Sequence, residues 1–122
     1  MNVSTFMNVL ILEDNHARQQ TFMRNLVGTN AVIVETATAA IQKLLEHPWD
    51  YLFLDHDLGG AQMVASGPGT GYEVAEWLAV NPKYQPPNIV IHSFNPVGAA
   101  NMKRVLVDAA VAPGCWNCIS LS

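Results

Sequence analysis

Positive charge is scarce in this chain. Six lysines and arginines stand against ten aspartates and glutamates, giving a formal net charge of −4. A protein that grips duplex DNA needs a basic face to neutralise phosphates, so duplex DNA is not an expected partner. A single nucleotide or an RNA end held at a small site remains compatible with this balance. Charged residues make up only 13% and hydrophobic ones 50%, which excludes a disordered, charge-rich chain. No apolar run reaches the ~18 residues of a membrane span. Residues 1–6 lack the basic region of a signal peptide, so a cytoplasmic protein is expected. Cysteine is confined to Cys115 and Cys118, spaced C-x-x-C near the chain end. A redox motif of that spacing usually follows a first strand, and two thiols leave a tetrahedral metal site half built. Buried structural thiols are the expected reading. There is no internal repeat, domain linker or low-complexity stretch, and 122 residues suit one domain.

Apolar runs alternate with helical patterns, the signature of a parallel sheet with crossover helices. Residues 9–12 form a continuous apolar run, as a strand covered on both faces requires. A helix is predicted from near Asn15, with Phe22, Met23, Leu26 and Val27 inside. Residues 31–35 read as the second strand. Thr38 is a candidate cap for the next helix, whose inner side carries Ala40, Ile41, Leu44 and Leu45. Residues 51–54 read as the third strand and residues 89–91 as the fourth. Between them lie a long loop from His56 to Thr70, a helix opened by the capping pattern Thr70-Gly71-Tyr72-Glu73, and a proline-rich connection. Asn95-Pro96 fits a cap followed by proline at the first helical position, with Ala99, Met102, Leu106 and Ala109 inward. Residues 116–121 read as a fifth strand. The predicted architecture is α/β, a doubly wound five-stranded parallel sheet over residues 1–122.

Polar residues follow three of the strands directly. Glu13 and Asp14 follow the first, Asp55, His56 and Asp57 the third, and His92, Ser93 and Asn95 the fourth. Right-handed crossovers bring these strand ends to one sheet edge, where open α/β sheets bind ligands. Carboxylates gathered there repel one another unless a cation compensates, and oxygen ligands favour magnesium, calcium or manganese. Glu13, Asp14, Asp55 and Asp57 are therefore the candidate metal ligands. His56 and His92, beside that cluster, are candidates for proton transfer together with Asp55. Ser93 and Asn95 are candidate phosphoryl-oxygen binders. The glycine-rich loop lacks the Gly-Lys-Ser/Thr of a Walker A motif, and its length suits a lid over the site. His16 and His47 read as surface residues.

These residues resemble the response-regulator receiver family over nearly the whole chain. Glu13-Asp14 looks like its acidic pair, Asp55 like its phosphoacceptor, Asp57 like the position binding metal through a backbone carbonyl, and Ser93 like its switch residue. The resemblance implies strand order 2-1-3-4-5 and a divalent cation, magnesium or manganese. Three departures stand out: the lysine after the fifth strand is missing, the loop after Asp55 is longer, and no fifth helix is expected. The segments Phe53-Leu54-Asp55-His56-Asp57-Leu58-Gly59-Gly60, Gly71 to Trp77, and Ile91-His92-Ser93-Phe94-Asn95-Pro96-Val97-Gly98-Ala99-Ala100-Asn101-Met102 are similar to those of the cyclic-phosphate-processing receiver family. That likeness implies a bacterial or phage protein acting on cyclic phosphates of nucleotides or RNA ends. The alternatives are a phosphoacceptor module and a degenerate receiver that binds only a protein partner.

Overall fold

The computed structural model describes residues 7–60 and 62–117. Five strands and four helices follow one another along the chain: β1 (Asn8–Leu12), α1 (His16–Asn25), β2 (Asn30–Val34), α2 (Ala37–Glu46), β3 (Tyr51–Leu54), α3 (Gly71–Val80), β4 (Asn88–Ile91), α4 (Pro96–Val105) and β5 (Ala110–Val111). Short 3-10 turns span Pro82–Tyr84 and Cys115–Asn117. The sheet is parallel throughout, in the order β2-β1-β3-β4-β5. Both the expected strand order and the two-sided winding are present.

Alternation along each strand divides the core. Leu10, Leu12, Leu52, Leu54 and Ile91 face one way, into a cluster with α2, α3 and α4. Val9, Ile11 and Phe53 face the other way, where Phe22 and Leu26 of α1 cover them. Full burial of each such side chain stabilises the fold by roughly 1.5–3 kcal/mol. Among the described residues, no helix is long and apolar enough to cross a membrane.

Helix starts obey local chemistry. Asn15, Thr36, Thr70 and Asn95 each accept a backbone N–H of the first turn on their side chains, and Pro96 opens α4. The α2 cap is thus Thr36 and not Thr38, because the helix begins two residues earlier than its apolar pattern suggests. Met23, Val27 and Leu45, expected inside, are exposed. Each follows a buried residue by one position and so lies off the narrow stripe that the sheet covers.

The fifth strand needs correction. It is Ala110–Val111, paired with Val90 and Ile91, whereas Trp116 and Asn117, expected to begin it, lie in a 3-10 turn. Both residues are exposed at the sheet edge, so the strand carries little apolar signal. Cys115 and Trp116 lie in the 3-10 turn that packs against the α1 side. Cys118 and the rest of the strand expected over 116–121 lie outside the described residues. Among the described residues no α-helix follows β5.

Candidate functional site

Sheet register builds the site. Leu12, Leu54 and Ile91 stand level on β1, β3 and β4. Glu13, Asp55 and His92 are therefore the next level row. The ladder extends to them: Asp55 N–H donates to Leu12 O at 3.2 Å and His92 N–H to Leu54 O at 2.9 Å. Side chains alternate, so this row points to the α1 side of the sheet, opposite to Leu12, Leu54 and Ile91. Each of the three offers a ligand atom, all within 4.8 Å of one another, and all three residues are buried.

Glu13 is saturated. Its carboxylate accepts from Arg18 Nε at 3.0 Å, Arg18 Nη2 at 3.3 Å, Asn15 N–H at 3.0 Å and pairs with His92 Nε2 at 3.0 Å. Burial pushes this carboxyl up, but the bonds from His92 and Arg18 outweigh it and hold it below the ordinary range. An ionised Glu13 only accepts, so Nε2 of His92 carries the proton. Nδ1 of His92 is buried without a partner. The imidazole is packed edge-on against Phe22, at 5.2 Å between ring centres.

Asp55 is the carboxylate with an open oxygen. Oδ1 accepts from His56 N–H at 2.8 Å. Oδ2 is buried and has no hydrogen-bond partner, with Arg18 Nη2 at 3.8 Å. Burial pushes the carboxyl up to about 6, the Glu13 charge adds to this, and His92, the His56 N–H and Arg18 oppose it. A cation bound by Asp55 Oδ2 would satisfy both the orphaned oxygen and the charge, so this donor set fits a divalent ion.

An open cavity of about 600 Å³ lies over this row. Asp14, Asp57, Ser93 and Asn95 line it beside Asp55 and His92, so six of the seven candidates other than Glu13 converge. The seventh, His56, does not line it. It follows Asp55 by one residue and so faces the α4 side, fully buried. Its Nδ1 pairs with Asp57 Oδ1 at 2.7 Å and its Nε2 with Ser66 Oγ at 2.8 Å.

The long loop is pinned by this second network. Asn95 Nδ2 donates to Asp57 Oδ1 and to Val64 O, both at 3.0 Å, while its Oδ1 caps Gly98. Asp57 Oδ2 accepts from Met63 N–H, Ser66 Oγ from Asn101, and Asp14 Oδ2 from Gly60 N–H. Burial raises Asp57, but the His56, Asn95 and Met63 bonds prevail and hold its carboxyl low. The loop expected as a lid thus forms one wall, through Gly60, Gln62 and Met63.

Arg18 is the functional side chain that strand-end reasoning passes over. It lies three residues after the Asn15 cap, where a side chain folds back towards the cap and reaches the end of β1. The carboxylates of Glu13, Asp55 and Asp14 around it push its guanidinium above its usual value despite partial burial.

Known proteins share these features to different depths. The sequence model of the cyclic-phosphate processing receiver domain matches residues 8–108. No curated protein matches the chain. A CheY-like receiver domain from Methylobacillus flagellatus superposes with a TM-score of 0.68 at 21% identity, over 90% of this chain and 87% of that one. The chemotaxis response regulator CheY4 of Vibrio cholerae gives 0.68 at 17% identity, over 90% and 88%. The Mn(2+)-bound form of response regulator Rcp1 gives 0.64 at 18% identity, over 87% and 80%. At these identities the structural likeness establishes the fold.

Proposed function

The chain belongs to the cyclic-phosphate processing receiver domain family, and from that premise we propose that its sheet-edge cavity opens cyclic phosphate esters with the help of a divalent cation. The observation that carries the reading is the buried Glu13–His92 pair, at 3.0 Å, set beside the unpartnered oxygen of Asp55. A phosphoacceptor site has no need of a histidine oriented by a carboxylate. A hydrolytic site does, because water must lose a proton as it attacks.

In this reading Glu13 holds the Nε2 proton of His92, which leaves Nδ1 with a lone pair. Nδ1 is enclosed in the protein and must be uncovered by substrate entry; His92 then accepts the proton of the attacking water. The water oxygen bonds to phosphorus, one ester P–O bond breaks, and the proton passes to the leaving oxygen. The product is a phosphate monoester. Ser93 Oγ, which accepts from Asn95 N–H at 3.0 Å, keeps its own hydrogen for a phosphoryl oxygen. His56 and Asn95 act by position, since their side-chain groups are spent on the loop. Asp55, with Glu13 beside it and Asp14 and Asp57 on the cavity wall, would hold magnesium or manganese. When bound, such an ion supplies charge that polarises a phosphoryl oxygen. That a protein of the same fold is described in a Mn(2+)-bound form supports this assignment. A 2′,3′-cyclic nucleotide or a cyclic-phosphate RNA end is the substrate class we favour.

Hydrolysis of 2′,3′-cyclic nucleotides and cyclic-phosphate RNA ends, with and without magnesium or manganese, tests this directly. We expect metal-dependent turnover that falls roughly 100-fold or more in His92→Ala. Equal turnover in His92→Ala and the parent would remove His92 from the chemistry.

One observation favours a second reading. Asp55 Oδ2 has no hydrogen-bond partner at the carboxyl end of the central strand in a receiver fold, where a phosphoacceptor would stand. Incubation with acetyl phosphate and intact-mass measurement separates the two. A stable phosphoryl adduct, lost in Asp55→Asn, supports a signalling module and counts against hydrolysis.

A further inference from the structure

Five of the six basic side chains are engaged away from the cavity. Arg24 donates to Thr21, Lys43 to Glu46 and Arg104 to Asn101. Lys103 holds the carbonyls of Val107 and Ala109, and Lys83 lies over the ring of Tyr84. Residues 112–122, which follow β5, contain no lysine or arginine. Arg18 is the one lysine or arginine that lines the cavity.

The polar donors nearest the strand ends do not suffice for a phosphoryl anion. Both N–H groups of the Asn95 amide are used within the protein, leaving the Ser93 hydroxyl. Asp14, Asp55 and Asp57 on the same walls would repel an anion.

The geometry points to Arg18 as the residue that binds the phosphoryl group of the ligand, a role that rests on the phosphate-ester reading above. Glu13 grips one edge of the guanidinium, through Nε and Nη2, and so fixes its plane. Nη1 has no acceptor among the described residues, and the side chain is 29% exposed. A guanidinium held by one edge presents its remaining donors in a fixed fork, which suits two phosphoryl oxygens. The first turn of α1 stands in the same wall through Asn15, His16 and Ala17, and its positive end favours an anion there. The competing account is that Arg18 only neutralises the buried Glu13 carboxylate and joins α1 to β1.

Calorimetric titration of adenosine 3′-monophosphate, inorganic phosphate and adenosine into the full chain separates these accounts, in magnesium and in chelator. Removing Arg18 alone would strand the Glu13 charge, so the informative pair is Glu13→Gln against Glu13→Gln/Arg18→Met. We expect Glu13→Gln, whose amide oxygen still accepts from the guanidinium but holds its plane less firmly, to retain binding of both phosphates. The double variant should bind them roughly 10- to 100-fold more weakly, the loss of charge-assisted hydrogen bonds. Adenosine binding should not change, and Arg18→Lys, which keeps the charge but not the fork, should fall between. Equal phosphate affinity in the two Glu13→Gln backgrounds, or a parent that binds neither phosphate in either condition, overturns the assignment. Arg18-dependent phosphate binding without any cyclic-phosphate turnover would keep this inference and remove the hydrolytic reading. Turnover in Arg18→Lys with the parent's KM, together with equal phosphate affinity in the two Glu13→Gln backgrounds, would do the reverse.

Discussion

Single residues here trade stability for an open site. Burial holds the folded Asp55 carboxyl near 6, above its ordinary 3.8. Between those values the folded state binds more protons than the unfolded one, so stability falls as pH rises through that window. Above it the charged, orphaned carboxylate costs at most about 3 kcal/mol. Asp55→Asn keeps the acceptor for His56 N–H and removes the charge. In chelator it should raise resistance to urea at pH 7.5 and change it little at pH 3.5. Equal gains at both pH values would show that burial of the charge is not the cause. His92 and His56 illustrate how neighbouring residues part company. Each is a histidine after a strand, yet only His92 shares its face with Glu13 and Asp55. The period of two was legible in the sequence and would have placed His56 on the other side of the sheet.

At the scale of elements, close approach sets two glycines. A Cβ on Gly98 in α4 would lie 2.4 Å from Cγ of His56, and one on Gly71 in α3 would lie 1.7 Å from the backbone oxygen of Asp55. The His56 ring can be removed, whereas the β3 backbone cannot. Gly98→Ala should therefore cost roughly 1–3 kcal/mol, and His56→Ala should relieve part of that cost when combined with it. Chemical denaturation of the two single variants and the double gives the coupling, and strict additivity would mean that the contact does not limit packing. Gly71→Ala, with nothing able to yield, should be the more damaging of the two. The same contacts explain why the long loop behaves as a wall. His56, Asp57, Asn95 and Ser66 join its two ends to α4. The caps Thr70 and Asn95 were legible because they depend on a few adjacent residues, whereas the α2 cap, expected at Thr38, is Thr36. β5 was not legible, because a two-residue edge strand is defined by its pairing with β4 and has no apolar run of its own.

At the scale of the whole molecule, the core on both faces of the sheet is complete without an ion. Chelator should leave the far-ultraviolet circular dichroism unchanged. Millimolar magnesium or manganese should raise the melting temperature by a few degrees, since an ion bound only to the folded state at tenfold its Kd adds about 1.4 kcal/mol. Asp55→Asn should abolish that rise. A rise that survives the substitution would move the ion away from β3.

The sequence by itself determined the alternation of strands and helices, the caps of α3 and α4 and the three strand ends that carry polar residues. Periodicity and capping are local, and local rules are written in consecutive residues. The cyclic-phosphate receiver likeness was legible for the same reason, in three short contiguous segments at residues 53–60, 71–77 and 91–102. Only the tertiary structure decided which of those polar residues meet. Register on β1, β3 and β4 joined Glu13, Asp55 and His92, whose numbers are far apart. Packing spent Asn95 and His56 on the loop, and the turn of α1 carried Arg18 back to the end of β1. Those outcomes depend on which atoms occupy a shared space, which no single stretch of sequence specifies.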